Sequence, residues 1–235
     1  MGEIADAALR DAEALQSGGV DALMIENFGD VPFAKGRVPS ATVAAMAAVG
    51  SSMHSALRVP FGFNVLRNDG ASALGLCAAL EGSFIRVNVL SGSMSTDQGI
   101  IEGDAFAVLR RRAALCPHVR IIADVHVKHA QPIGGGPIGE AARDALERGL
   151  ADALVISGTG TGVATDLSDL EAVRLAAPDA FLYVGSGTTL ESLPSLRKFA
   201  SGFIVGSALK VDGELAAPVD RDRVAAMAEQ IGAGA

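Results

Sequence analysis

Only two cysteines occur in the 235 residues, Cys77 and Cys116, and neither sits in a CxxC pair or a Cys/His cluster. That spacing points to reduced, structural thiols in a cytoplasmic protein. No block of Lys and Arg appears, and the net charge is −8, which argues against a nucleic-acid partner. There is no apolar run of transmembrane length. The N-terminal segment is acidic and alanine-rich, unlike a signal peptide, so stable membrane insertion is not expected. No shift of composition marks a second domain, and residues 1–235 are read as one domain with one substantial core.

What the chain does have is a regular alternation of short apolar runs with alanine-rich stretches. Strands are predicted at Ala22–Glu26, Phe61–Leu66, Phe84–Leu90, Arg120–Val127, Ala153–Ser157, Phe181–Gly185 and Gly202–Gly206. Helices are predicted at Glu3–Ser17, Ser40–Ala48, Ala71–Leu80, Ala105–Ala114, Gly139–Arg148 and Leu167–Ala176, and Asp220–Arg223 reads as the start of a last one. Strict alternation implies a parallel sheet, and seven such units without a linker fit a (β/α)8 barrel. The chain opens on a helix, so the first of eight strands is missing. A start codon assigned too late is the expected reason; an intact mass beginning at Met1 would sink that idea. The strand edges left unpaired by such a gap lead to the expectation of a homo-oligomer.

Strand side chains alternate between faces. In IIADVHVKH (Ile121–His129) one face carries Ile122, Asp124, His126 and Lys128; in Phe84–Leu90 the corresponding face carries Phe84, Arg86 and Asn88. Asn64 and Glu26 fall on the same side of their strands. In a barrel that face is the lumen, and it turns polar toward the C-terminal strand ends, where chemistry sits in this architecture. Glu26, Asn64, Arg86, Asn88, Asp124, His126, Lys128 and Ser157 are therefore expected to converge. Buried charges must be paired, ligated or open to substrate. Lys128 is the candidate Schiff-base amine, with a structural ion pair to Asp124 or Glu26 as the competing reading; Asp124, Glu26 or His126 would move protons. No cofactor is expected. A variant holds a divalent metal on Glu26, Asp124 and His126.

Two glycine turns, Gly185-Ser186-Gly187 and Gly206-Ser207, follow the last two strands, where barrels often bind phosphate through backbone N–H groups. The Ser157–Gly162 run is a further glycine-rich candidate, and Gly134-Gly135-Gly136 reads as a mobile loop. Asn27, Asp30 and the Arg67-Asn68-Asp69 group either touch ligand or serve as turn and cap residues. His54 and His118 are expected at the surface.

The stretches IENFGDVPF (25–33), FNVLRND (63–69), FIRVNVLSG (84–92), DQGIIEG (97–103), ADVHVKHA (123–130), VGSGTT (184–189) and FIVGSALKVDG…PVDRDRV (203–224) closely resemble the BtpA/SgcQ family over nearly the whole chain. The resemblance implies a TIM-like barrel of the ribulose-phosphate-binding type. Some members are linked to photosystem I and others to sugar utilisation. Relatives usually carry a strand and a His- and Pro-containing loop ahead of the first helix, which this sequence does not show. Two functions are expected to compete. One is an enzyme of lyase or isomerase type acting on a small phosphorylated, sugar-like ligand. The other is a non-catalytic assembly or regulatory factor that uses the barrel as a binding module.

Overall fold

The computed structural model describes residues 1–158, 160 and 164–233. Helix α1 (Gly2–Gly18) leads into strand β1 (Leu23–Glu26), followed by α2 (Ser40–His54), β2 (Phe61–Asn64), α3 (Gly70–Leu80) and β3 (Phe84–Val87). A hairpin of β4 (Ser93–Thr96) and β5 (Gly99–Glu102) comes next, then α4 (Ala105–Leu115), β6 (Arg120–Asp124) and the short β7 (Ala130–Pro132). Helix α5 (Ile138–Arg143) runs on as a π-turn at Asp144–Arg148. The remainder is β8 (Ala153–Ile156), α6 (Leu167–Ala176), β9 (Leu182–Val184), α7 (Leu193–Leu196), β10 (Gly202–Phe203) and α8 (Arg221–Gly232).

Seven strands form one parallel sheet in the order β1-β2-β3-β6-β8-β9-β10, curved as a barrel wall with helices outside. All seven predicted strands are present, and all but β1, which ends at Glu26 as expected, are cut short at the C-terminal end. Among the described residues β10 does not pair with β1, so the sheet stays open there. The ring of helices closes across that gap. Helix α1 packs on α8 so closely that a Cβ on Gly18 would lie 2.5 Å from Val224 Cγ1. Asp11 on α1 adds an ion pair to Lys210 (3.3 Å) and accepts from the Val219 N–H.

The alternation read from sequence holds within the strands. Phe63, Ile85, Val87, Ile121 and Ala123 face outward into one core with Leu74, Leu76 and Cys77 of α3. Leu154, Ile156, Leu182 and Val184 face α5 and α6 in a second core. The inward face is plugged at its base by Phe84, Ile122, Ala153, Val155, Tyr183 and Ile204. Burying an Ile such as Ile121, fully enclosed here, contributes about 1.5–3 kcal/mol. Above the plug the same face becomes polar. Four helices start on an Asp whose carboxylate accepts a free N–H of the first turn: Asp69, Asp104, Asp166 and Asp220.

The small antiparallel sheet β5-β4-β7 was not expected from sequence. Met94, Ile101 and Ala130 on its inner side pack against Val89 and Val127, just beyond the ends of β3 and β6. It forms a wall on one side of the barrel mouth.

Candidate functional site

Five of the expected residues form one bonded ladder across the ends of β1, β2, β3 and β6. Arg86 grips Asp124 with both edges of its guanidinium, Nε to Oδ1 at 2.7 Å and Nη2 to Oδ2 at 2.9 Å. Asn88 donates to Asp124 Oδ2 (3.1 Å), and Asn64 donates to Asn88 Oδ1 (3.0 Å) and to the Arg86 carbonyl. On the other side Arg86 Nη1 lies 3.6 Å from Glu26 Oε1. Asp124 and Arg86 are almost wholly buried, so this is a preorganised, low-dielectric pair. Burial pulls the Arg86 guanidinium toward neutrality, but the charge and hydrogen bonds of Asp124, helped by Glu26, outweigh it and its pKa is raised.

Glu26 is the unbalanced member. Its side chain keeps 26% exposure, yet Oε1 is enclosed and makes no hydrogen bond. Desolvation raises its pKa; Arg86 and Lys128 oppose that, and Asp124 reinforces it. Glu26 can therefore hold a proton where an ordinary carboxylate would not.

Lys128 lies beyond the end of β6, and its ammonium stands over the Phe28 ring, 5.6 Å from the centroid. Among the described residues it makes no ion pair, so the bridge to Asp124 or Glu26 that competed with the Schiff-base reading does not form. Desolvation lowers its pKa, Arg86 and Arg67 push the same way, and Glu26 and Asp124 only partly offset them.

His126 departs from the expectation. The strand ends at Asp124, and His126 adopts a left-handed backbone (φ 51°), which breaks the period-two alternation that placed it beside Asp124 and Lys128. It lines a side cavity of about 170 Å³ together with Asn88, Asp124, Glu140 and Asp144. Burial lowers its pKa, and the charge that resists this is Asp169 on α6. Among the described residues no three His, Cys, Asp or Glu side chains are gathered as a metal centre requires, so Glu26, Asp124 and His126 do not form the metal set considered from sequence.

The glycine turns adjoin the ladder. A Cβ on Gly185 would lie 2.6 Å from Ser157 Oγ and 3.5 Å from Arg86 Nη2, so only glycine lets β9 approach here. The Gly185 N–H donates to the Ile156 carbonyl and belongs to the sheet rather than to a ligand. Ser157 Oγ and Thr188 Oγ1 are enclosed with no partner among the described residues. Ser186 Oγ donates to the Gly160 carbonyl, and Gly187 takes a positive φ (68°). Ser207 opens a three-residue 3₁₀ turn after Gly206, whose missing Cβ would meet nothing. Of the Ser157–Gly162 run, Thr159, Thr161 and Gly162 lie outside the described residues.

Arg67 is the residue that periodicity could not single out. It follows the end of β2 on a loop, is 3% exposed, and donates from Nη2 to the Lys128 carbonyl. Its neighbours are structural: Asp69 caps α3 and also holds the Val38 N–H, while Asn68 brackets the Val89 backbone. Asn27 likewise clamps the Leu66 backbone. His54 and His118 are exposed, as expected.

No helix among the described residues is long and apolar enough to cross a membrane. The architecture is shared with phosphoribosyl anthranilate isomerase from Thermus thermophilus, at TM-score 0.63 and 14% identity, covering 97% of this chain and 95% of that one. In sequence, the chain is 46% identical to an uncharacterized protein of Thermococcus kodakarensis over 96% of its length and 85% of the relative. It is 43% identical to the photosystem I biogenesis protein BtpA of Synechocystis, over 98% of its length and 80% of that protein. The BtpA family profile matches residues 1–233, and with these identities the chain belongs to the BtpA family.

Proposed function

We propose that the barrel is an enzyme that acts on a small phosphorylated, sugar-like molecule by aldol cleavage or isomerisation through an imine on Lys128. The observation that carries this reading is the state of Lys128: a part-buried amine, unpaired among the described residues, with a lowered pKa, beside a carboxyl whose pKa is raised. A neutral amine adds to the substrate carbonyl carbon, and the carbonyl oxygen leaves as water after taking protons from the amine and from the Glu26 carboxyl. The resulting iminium draws the electron pair of a neighbouring C–C or C–H bond, and the Glu26 carboxylate takes the proton released. Asp124 is held by three hydrogen bonds, so its role is to fix Arg86 and Asn88 rather than to shuttle protons. Protonation of the enamine and hydrolysis by water return the free amine.

The phosphate is assigned to the turns after β9 and β10, using amides of Gly187, Gly206 and Ser207 and the unpartnered Thr188 and Ser157 hydroxyls. The phosphoribosyl substrate named for the Thermus structure is of the same class. Borohydride trapping with triose and pentose phosphates tests the chemistry. An adduct on Lys128, absent in Lys128→Ala, is expected; turnover of any of them with no adduct overturns the imine.

The name of the Synechocystis relative motivates a second reading, a non-catalytic assembly factor. Full complementation of a strain lacking that relative by Lys128→Ala would favour it over catalysis. We also propose a cytoplasmic homo-oligomer, on the buried free thiols and on the strand edges of β1 and β10 that stay unpaired in the sheet. Light scattering that returns a monomer mass overturns the oligomer.

A further inference from the structure

The proposed imine chemistry leaves Arg67 without a task, and its surroundings are unbalanced. Arg67, Arg86 and Lys128 meet Glu26 and Asp124 across the barrel mouth, and Asp97 also acts on Arg67. Asp124 is taken by the two-pronged grip of Arg86, and the nearest cation to Glu26 is again Arg86. Arg67 is 3% exposed and has no carboxylate within ion-pair range among the described residues. Asp124 and Asp97 reach it only through their field. Its Nε is enclosed with no acceptor among the described residues. A buried guanidinium without a counter-ion is costly, so this corner of the mouth is built for an anion that the protein itself does not supply.

We infer that this anion is a carboxylate bonded directly to the carbonyl carbon that Lys128 attacks, which makes the substrate class of the site a 2-oxo acid. The assignment rests on the imine reading of Lys128. Arg67 Nη2 holds the carbonyl oxygen of Lys128 itself, so guanidinium and amine are tied to the same residue. A group one bond from the reacting carbon suits that proximity. A planar guanidinium matches a planar carboxylate, which a lysine in its place would not. The phosphate at the other end of the substrate has its own turns after β9 and β10.

Calorimetric titration of the full chain with pyruvate, hydroxyacetone and inorganic phosphate tests the assignment. Pyruvate is expected to bind about ten- to a hundredfold more tightly than hydroxyacetone, the range of a charge-assisted hydrogen bond. Arg67→Gln should erase that preference, any loss from freeing the Lys128 segment being shared equally by pyruvate and hydroxyacetone. Arg67→Lys, which keeps the charge and loses the fork, should fall between them; it decides the matter if Arg67→Gln does not fold. Equal binding of pyruvate and hydroxyacetone overturns the carboxylate site, and so does a preference that survives in a folded Arg67→Gln. Displacement of pyruvate by inorganic phosphate, with both dependent on Arg67, overturns it in favour of a phosphate there. Cyanoborohydride separates the two ideas. Arg67-dependent pyruvate binding without a reduced adduct on Lys128 sinks the imine and leaves the carboxylate site standing.

Discussion

The two halves of the barrel mouth solve the problem of buried polarity in opposite ways. On β1, β2, β3 and β6 charged groups and amides bond to one another, from Asn64 through Asn88 and Asp124 to Arg86. On β8 and β9 the polar groups are neutral, and Ser157 Oγ and Thr188 Oγ1 are enclosed without partners among the described residues. The first half holds Arg86, Asn88 and Asp124 in a bonded core that fixes the electrostatics before any ligand arrives, and leaves Glu26 Oε1 and Arg67 Nε at its margin without partners among the described residues. The second is unfinished, and its hydroxyls gain only when something else supplies their hydrogen bonds. A site with one rigid half and one receptive half can hold a reacting centre still while accepting a variable tail.

The comparison breaks most visibly if the charged half is cut. Asp124→Ala leaves Arg86 buried without its two-pronged partner, and a loss of about 3–5 kcal/mol is expected in urea unfolding. A loss below about 1 kcal/mol would show that the ladder is not preorganised. Gly185→Ala comes next, because its Cβ would press on Val155 Cγ1 at 2.5 Å and on Ser157; overpacking of about 1–3 kcal/mol is expected. Glu26→Gln acts through pH. The native state holds a proton that the unfolded chain has released, so stability falls as pH rises from 4.5 through the raised value. The variant should flatten that fall, and an unchanged slope in pH-dependent urea midpoints would place the proton elsewhere. Thr188→Val is expected to do least, within about 1 kcal/mol of the parent protein, since the hydroxyl it removes has no partner to lose. Thermal melts with and without inorganic phosphate check this, and only the phosphate-dependent shift should shrink.

The strands and their facing were legible in the sequence because half-buried strands impose a strict period on side-chain chemistry. That period located Glu26, Asn64, Arg86, Asn88 and Asp124. It failed where the chain stops being a strand: the left-handed His126 breaks the alternation, and it reaches a side cavity shared with Asn88 and Asp124. Arg67 was named with Asn68 and Asp69 as either touching ligand or capping a turn, and periodicity could not choose between the two, since a loop residue past the end of β2 carries no periodic signal of burial. The wall of β4, β5 and β7 was missed because its strands are three or four residues long and mostly polar, with Met94 and Ile101 alone marking the inner side of the hairpin.

The hydrogen bond from Arg67 to the carbonyl of Lys128 links residues 61 positions apart. Its consequence is one of inheritance. A lineage that loses the arginine frees the segment that aims the lysine, and selection then has little left to preserve at position 128. The two residues should be kept or lost as a pair, so a descendant carrying one without the other marks a protein that has changed its chemistry.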